Sequence, residues 1–128
     1  MNIFLSGHKG YLGRSIKEKL IGEKYEIKTL ENKINKKTNI NFNNINCIIH
    51  SANKFNSKNK DEIFKVNYMI SKKIFLEAIR IQSKDTRLFI NLNTTRINEN
   101  LKLNKNYYIE SKKKFSSYVK KNIKKRIL

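Results

Sequence analysis

The sequence predicts an α/β fold built on a parallel β-sheet. Short apolar runs typical of buried strands alternate with segments of helical periodicity. Three glycines at three-residue spacing stand where the first strand gives way to the first helix. Because parallel neighbours need long crossovers, usually helices, the order strand–helix–strand–strand–strand–helix–strand–helix favours a parallel sheet.

The chain begins with a strand, a helix and a second strand. Ile3 to Leu5 is a short apolar run that predicts strand one. From Tyr11 to about Ile21, apolar residues recur every four positions, which predicts an amphipathic helix. Tyr25 to Leu30 alternates with the period of two that is typical of a strand.

The middle of the chain fits a parallel sheet less well. Cys47 to Ile49 is a compact apolar run, which indicates a strand covered on both faces. Asn39 to Phe42 is a possible short strand before it, inside an asparagine-rich stretch. About four residues separate the two, whereas a parallel crossover usually takes about a dozen or more. The sequence therefore predicts that the crossover helix there is missing or reduced to a loop.

The second half predicts a long helix, a strand and a last helix. Residues 57 to 61 form a polar start to a helix whose broad apolar stripe runs to Ile79. Arg87 to Leu92 is the next strand, and Tyr107 to about Asn122 is the last helix. We expect that helix to turn its lysines outward and three apolar residues inward. These are Phe115, Tyr118 and Val119.

Length and composition bound the class of protein. The 128 residues, 38% of them hydrophobic, indicate one domain, residues 1–128, with a real core. No apolar run approaches the roughly 18 residues of a membrane span, and Met1 leads directly into a strand, so we expect a cytoplasmic protein with no membrane association. A single cysteine and two histidines exclude an internal disulfide and a zinc-type ligand cluster.

The net charge of +19 suggests nucleic acid as a partner, because lysine and arginine neutralise phosphates. Lysine outnumbers arginine 24 to 5, asparagine and isoleucine are each present 19 times, and proline is absent. That profile is typical of an AT-rich coding sequence. Because the lysines are spread over every segment, we expect no specific nucleic-acid binding, only non-specific attraction at low salt.

Gly7, Gly10 and Gly13 form the most informative motif. Without a Cβ, Gly7 permits a tight turn, Gly10 the close approach of a pyrophosphate, and Gly13 the close packing of helix on strand. The N–H groups and positive dipole end of the new helix favour a bound anion. Such a triplet also occurs in plain turns, but the strand before it and the helix after it indicate a dinucleotide site.

Glu31 is the candidate ligand for the adenosine ribose. It follows Gly13 by 18 residues, close to the roughly 20 at which an acidic residue meets that ribose. A carboxylate accepts a hydrogen bond from the 2′-OH and repels a 2′-phosphate, so Glu31 favours NAD over NADP. A solvated surface glutamate is an equally good interpretation, and Lys33 and Arg14 are near enough in sequence to reverse the preference.

Tyr108 and Lys112 are four residues apart and share a face of the last helix. The ammonium can lower the pKa of the phenol and make it a usable acid or base near neutral pH. In a chain with 24 lysines, such a pair also arises by chance.

Five motifs in order resemble an extended short-chain dehydrogenase/reductase of the NAD-dependent epimerase/dehydratase branch, whose members act on nucleotide sugars. The resemblance covers essentially the whole chain. It implies a Rossmann-like, doubly wound parallel sheet, and NAD as the cofactor with NADP as a possible substitute. The motifs are Gly7-x-x-Gly10-x-x-Gly13, Cys47 to Asn53, Lys65-Val66-Asn67, Phe89 to Thr94, and Tyr108-x-x-x-Lys112.

The resemblance implies roles for individual residues around the cofactor. The glycines would hold the pyrophosphate, with an aromatic–aliphatic pair between them, and a triplet after the strand at Cys47 would line the cofactor. Asn67 would support the active-site backbone. The implied cofactor-binding residues are Gly7, Gly10, Tyr11, Leu12, Gly13, Glu31, Ser51, Ala52, Asn53, Asn67, Tyr108 and Lys112.

The resemblance also implies a catalytic set. Thr94, or Thr95 if the register shifts by one residue, would donate a hydrogen bond to the reacting oxygen. Tyr108 would be the general acid/base, and Lys112 would bind the nicotinamide ribose and depress the pKa of the tyrosine. His50 also fits the family pattern, and we expect it to pack at the strand end rather than to take part in catalysis.

The sequence stops where this family begins its sixth strand. We therefore expect a Rossmann domain truncated after the Tyr-x-x-x-Lys helix, with no substrate domain and doubtful turnover alone. The expected partners are a nucleotide sugar for a longer or complemented form, and a homo-oligomer or complementing chain. The alternative is a non-catalytic remnant or basic module that binds an acidic partner.

Overall fold

A computed structural model describes residues 1–55, 58–80, 88–93 and 106–124 of the chain. The chain divides into two compact units. The first comprises Met1–Ala52 and Lys73–Leu92, and the second comprises Asn53–Lys72 and Asn93–Leu128. Within the described ranges, no helix is long and apolar enough to cross a lipid bilayer.

The first unit is built on a four-stranded parallel sheet. Its strands are β1 (Asn2–Ser6), β2 (Glu26–Lys28), β3 (Cys47–His50) and β4 (Leu88–Asn91). They lie in the order β2–β1–β3–β4, and every neighbouring pair is parallel. The predicted Rossmann-like α/β fold is confirmed. Because β2 lies on one side of β1 and β3 on the other, the sheet has a topological switch point at the carboxyl ends of β1 and β3.

Helix α1 (Tyr11–Gly22) makes the crossover from β1 to β2. One face of the sheet carries a buried cluster of strand residues, and partly buried residues of α1 and β2 pack against that cluster. Since β1 and β3 are buried on both faces, their sequences are continuous apolar runs rather than alternating ones. The cluster is Ile3, Leu5, Cys47 and Ile49, covered by Ile16, Leu20 and Ile27.

The predicted strand from Asn39 to Phe42 is wrong, since the chain forms a loop there. Asparagines account for the turns: the Asn41 side chain accepts a hydrogen bond from the backbone N–H of Asn43, and Asn44 has a φ of 60°. The apolar residues of the loop still cover the core. Phe42 is fully buried, with its ring centroid 4.9 Å from that of Phe4.

Helices dominate the second unit. Helix α2 (Lys60–Phe64) is followed directly by a π-helical segment (Lys65–Ile70) and by α3 (Ser71–Arg80), most of which belongs to the first unit. The predicted long helix is therefore confirmed, with a wider turn in its middle. The last helix, α4 (Tyr107–Lys124), packs against α2 and the π-helical segment. The buried apolar residues of this unit include Ile63, Ile70, Ile109 and Phe115.

The buried loop residue Phe42 yields a test of the core. Phe42→Ala should lower the free energy of unfolding by about 3–5 kcal/mol, the cost typical of a phenylalanine removed from a packed core. Phe55→Ala is the control, because Phe55 is 63% exposed, and it should cost well under that amount. Urea denaturation measures both. Equal losses in the two variants would show that the loop does not cover the core.

Candidate functional site

The glycine turn lies against the backbone that follows β3. Gly7 has a φ of +79°, which a residue with a side chain rarely adopts. A Cβ on Gly7 would lie 2.5 Å from the backbone nitrogen of Ala52 and 2.7 Å from its Cα. The N–H of Gly10 donates to the Gly7 carbonyl oxygen at 3.0 Å and closes the turn. The tight turn predicted at Gly7 is confirmed.

The other two glycines differ in what surrounds them. A Cβ on Gly13 would overlap the carbonyl oxygen of Gly7, so the close packing predicted at Gly13 is confirmed. A Cβ on Gly10 would approach only that same oxygen, at 3.3 Å, and Gly10 is exposed. The turn is therefore tight on its protein side and open at Gly10. The pyrophosphate contact assigned to Gly10 stays a prediction.

Helix α1 begins with its N–H groups available to a ligand. Gly10 is its N-cap, no side chain caps it, and its first turn holds no acidic residue. Tyr11 and Leu12, in that first turn, are exposed. Because the uncapped N–H groups carry the positive end of the helix dipole, this position favours an anion. It lies at the carboxyl end of β1, where the sheet has its switch point.

Buried polar residues fix the strand ends beneath the turn. Ser6 and His50 are opposite each other in the β1–β3 register, and Ser6 Oγ lies 2.6 Å from His50 Nδ1. The Ser51 hydroxyl donates to the Ser6 carbonyl oxygen at 2.7 Å. His50 is fully buried, which confirms the packing role predicted for it. The hydrogen bond to Ser6 was not predicted, because it depends on β1 and β3 being neighbours in this register.

Glu31 and the glycine turn are joined by a residue that the sequence analysis missed. Lys9 Nζ donates to the carbonyl oxygen of Glu31 at 2.8 Å and lies 4.0 Å from its carboxylate. Glu31 lies three residues beyond the end of β2, and its side chain is 86% exposed. The carboxylate predicted to meet the ribose therefore has an ammonium group of the turn beside it. Among the described residues, Lys9 is the lysine that contacts Glu31, and neither Lys33 nor Arg14 lies within 4.0 Å of the Glu31 carboxylate.

In the second unit, Asn67 holds two backbone segments together. Its side chain is fully buried in the π-helical segment. Asn67 Oδ1 accepts from the N–H of Lys54 at 2.8 Å, and Nδ2 donates to the carbonyl oxygen of Lys54 at 2.8 Å. Nδ2 also donates to Ser111 Oγ at 3.2 Å, and that hydroxyl donates to the Tyr108 carbonyl oxygen at 2.7 Å. The predicted support of backbone by Asn67 thus has a structural basis.

Tyr108 and Lys112 both lie on α4 and differ in burial. The Tyr108 ring is half-buried and packs edge-on against Phe55, with centroids 5.7 Å apart. Lys112 is only 1% exposed, so the expectation that the lysines of this helix face outward is wrong at this position. Ser111, which precedes Lys112, is also buried.

Burial controls the pKa values of both groups. It lowers the pKa of the Lys112 ammonium to about 8, because desolvation disfavours the charged form. It raises the pKa of the Tyr108 phenol above its ordinary value for the same reason. The expectation that the ammonium depresses the pKa of the phenol is therefore wrong, since desolvation determines the direction of the shift.

The candidate residues fall into two groups. Gly7, Gly10, Gly13, Ser51 and Ala52 belong to the first unit with Tyr11, Leu12 and Glu31, and the turn touches Ala52 directly. Asn53, Asn67, Tyr108 and Lys112 belong to the second unit. Thr94 and its alternative Thr95 lie outside the described residues.

Comparison with known proteins identifies the kind of fold. No family model matches the sequence, and no curated protein matches it. Solved structures do match. A short-chain dehydrogenase/reductase superfamily protein from Agrobacterium tumefaciens with bound NAD has a TM-score of 0.68 at 14% identity, over 93% of this chain and 44% of that chain.

Two reductases give the same result. The dTDP-4-dehydrorhamnose reductase of Bacillus anthracis, in complex with NADP, has a TM-score of 0.69 at 20% identity, over 94% of this chain and 49% of that chain. That of Clostridium acetobutylicum has 0.69 at 21% identity, over 94% and 49%. The chain thus has the fold of short-chain dehydrogenase/reductase proteins and spans about half the length of these structures.

The buried Lys112 makes stability depend on pH. Its pKa is about 8 in the folded chain and about 10.4 in an unfolded one. Between these values the unfolded chain binds more protons, so this group makes folding more favourable as pH rises from about 8 to about 10, by up to roughly 3 kcal/mol.

Lys112→Met should remove the part of the pH-dependent rise in the free energy of unfolding that Lys112 causes, as measured by urea unfolding at pH 7.5, 8.5 and 9.5. Lys120→Met is the matched control, because Lys120 is an exposed lysine of the same helix. It should keep the rise seen in the wild-type chain. A Lys112→Met variant with the wild-type pH dependence would disprove that the buried amine titrates in this range.

Proposed function

We propose that this chain binds a nicotinamide dinucleotide and forms part of a reductase, epimerase or dehydratase that acts on a nucleotide sugar. The observation that carries the proposal is the glycine turn. The turn packs against the Ala52 backbone and is open at Gly10. The helix that follows it has no side-chain cap and begins at the switch point of a parallel sheet. That combination suits a pyrophosphate, which needs close backbone approach and N–H donors.

The residues present fit such a cofactor. Side chains at Gly7 and Gly13 would collide with the backbone of the turn, whereas the open side of Gly10 leaves room for a ligand. The glycine turn would hold the pyrophosphate, Glu31 the adenosine ribose, and Ser51, Ala52 and Asn53 would line the rest. When bound, NAD or NADP supplies hydride transfer. The bound NAD and NADP named for two of the matching structures support the proposal.

Lys9 bears on the choice between NAD and NADP. Glu31 alone would repel a 2′-phosphate, but the Lys9 ammonium lies 4.0 Å from its carboxylate and offsets its charge. Because a 2′-phosphate is an anion that a lysine can pair with, we propose that the chain accepts both cofactors and that Lys9 provides its affinity for NADP.

Tyr108 is proposed as the proton donor. A phenol has an ordinary pKa of about 10, and burial shifts the pKa of Tyr108 upward, so Oη carries a proton that it can give to a substrate oxygen. A protonated phenol is the form needed where a carbonyl is reduced to an alcohol, and its phenolate is the form needed for the reverse step. Lys112 would bind the nicotinamide ribose, and Thr94 would donate a hydrogen bond to the reacting oxygen, both as the family resemblance implies.

The substrate and partners are likewise proposals. Two of the matching structures are named as reductases of a nucleotide sugar, dTDP-4-dehydrorhamnose, which supports that class of substrate. The chain spans about half the length of those structures. We therefore propose that a longer form, or a second copy or complementing chain, supplies the residues that hold the sugar.

Cofactor titration tests the glycine turn. Gly10→Ala should weaken binding of NADH and NADPH by about tenfold or more while the chain stays folded, because the new methyl group occupies the side open to a ligand. Gly22→Ala is the control, since a Cβ there meets nothing within 4 Å. Tyr108→Phe should leave binding mostly intact. Fluorescence titration or calorimetry measures each affinity.

Two results would count against the dinucleotide proposal. One is wild-type protein that binds neither NADH nor NADPH at millimolar concentration. The other is Gly10→Ala protein that is folded by circular dichroism and binds as tightly as Gly22→Ala protein.

The ratio of the NADPH affinity to the NADH affinity tests whether Lys9 provides the affinity for NADP. Lys9→Gln should weaken NADPH binding by about 5- to 10-fold, the loss expected of one solvent-exposed charged contact worth about 1 kcal/mol, and should change NADH binding by less than about twofold. Lys33→Gln is the comparison, since Lys33 is a nearby exposed lysine. If Lys33→Gln lowers NADPH affinity and Lys9→Gln does not, the assignment to Lys9 is wrong.

A further inference from the structure

Three lysines of the second unit lie on aromatic ring faces. Every cation–π contact found among the described residues involves one of them, and together these contacts join residues of α4 to residues 60–72. We name this patch the basic–aromatic surface. Its residues are Lys60, Phe64, Tyr68, Lys72, Lys114 and Tyr118.

The lysines and rings alternate in a row. Lys60 Nζ lies 5.5 Å from the Phe64 ring centroid, and Lys114 Nζ lies 5.8 Å from the same centroid. Lys114 Nζ also lies 4.7 Å from the Tyr68 centroid, and Lys72 Nζ lies 5.9 Å from the same centroid. Neighbouring ammonium groups therefore share a ring. The sequence separates Lys114 from the other two lysines by more than 40 residues, and folding brings the three into one row.

The row continues to Tyr118. Lys72 Nζ lies 4.7 Å from the Tyr118 centroid, and the Tyr118 and Tyr68 rings meet edge to face at 6.4 Å. Each of the three lysines therefore lies beside two aromatic rings. The rings are half-buried, so each is held in place while part of it stays accessible.

Within the described residues, the three lysines of this row form no ion pair. Within the described part of the second unit, the ion pair is between Lys54 and Glu62, at 3.1 Å. Lys60, Lys72 and Lys114 have no carboxylate oxygen within 4 Å among the described residues. Three ammonium groups on one surface repel one another, and a ligand with several negative charges would relieve that repulsion.

The rings narrow the choice of polyanion. Single-stranded nucleic acid binds where a positive groove follows its backbone and aromatic side chains stack on its bases. An exposed cation–π contact is weaker than the stacking of a base on the same ring. A base can therefore displace an ammonium group from a ring face, and that ammonium group can then pair with the adjacent phosphate.

We propose that the basic–aromatic surface binds single-stranded nucleic acid without sequence preference. This function is separate from dinucleotide binding, which is proposed for the glycine turn of the first unit. It uses lysines and rings that the proposed chemistry does not need. Because this binding has no sequence preference, it agrees with the expectation, drawn from the composition, that the chain does not bind nucleic acid specifically.

Charge reversal on this surface is the main test. The variant Lys60→Glu/Lys72→Glu/Lys114→Glu should bind a fluorescein-labelled 15-residue oligothymidylate at least about tenfold more weakly than wild-type protein, by fluorescence anisotropy. The control Lys33→Glu/Lys36→Glu/Lys37→Glu makes the same change in net charge in an exposed loop of the first unit, and should lose less than about threefold. Circular dichroism confirms that both variants fold. Equal losses would overturn the proposal, because net charge alone would then explain binding.

Salt dependence provides a second readout. Three phosphate contacts predict a slope of about −2 in a plot of log affinity against log salt concentration, at about −0.7 per contact for a single strand. The surface variant should lose most of this slope and the loop control should keep it. A wild-type affinity that does not change between low and high salt would overturn the proposal.

A ring substitution separates nucleic acid from other partners. Tyr68→Leu should weaken oligothymidylate binding about fivefold and leave binding of inorganic polyphosphate unchanged. Equal effects on both ligands, or none, would mean that the surface binds polyanions by charge only. Sedimentation velocity tests whether a second copy of the chain occupies this surface instead. If the wild-type protein is a dimer and the charge-reversal variant is a monomer, the surface is a dimer interface and the proposal is overturned.

Discussion

The candidate cofactor site depends on one contact, the approach of the glycine turn to the backbone around it. The turn can lie on Ala52 only because Gly7 has no Cβ, and α1 can start directly above it only because Gly13 has none. These two contacts fix the direction in which α1 leaves β1. The N–H groups of its first turn therefore remain uncapped at the carboxyl end of the sheet. The anion binding proposed for the turn would therefore follow from how tightly its protein side packs.

In the second unit, the corresponding constraint is a buried amide. Asn67 uses its oxygen and nitrogen on the backbone of Lys54, and its nitrogen also reaches Ser111. An amide with both groups satisfied adds order at little cost, whereas a buried amide without partners would be expensive. The π-helical segment explains how Asn67 reaches this position, since a widened turn changes the direction of the residues it contains. Through Ser111, this network reaches the backbone carbonyl of Tyr108 rather than its hydroxyl group.

The sequence predicted the parts of the fold that follow from local pattern. Each strand of the sheet was a compact apolar or alternating run, and each long helix had an apolar stripe, so these elements were found near their observed bounds. The loop around Phe42 was misjudged because a buried loop residue and a strand residue both appear as an isolated apolar position. Asparagine turn geometry, rather than hydrophobicity, determined the result there.

The contacts of the site were harder to predict than its residues. Spacing identified Gly7, Gly13 and the Tyr108–Lys112 pair, and the family resemblance identified Asn67. No local pattern relates Lys9 to Glu31 or Ser6 to His50. Those contacts join residues 22 and 44 positions apart. They depend on strand register and loop path, which the sequence gives only once the sheet order is known.

Lysine shows most directly why composition is a poor guide to function in this chain. Lys112 is buried and loses much of its preference for the charged state, Lys9 neutralises a carboxylate, and Lys114 lies between two rings. The same side chain thus acts as a titratable amine, a counter-ion and a cation on a π face. An AT-rich coding bias can supply all three without selecting any of them. What distinguishes them is the dielectric and the groups around each nitrogen, so the function of each lysine must be argued from its neighbours rather than from the net charge of +19.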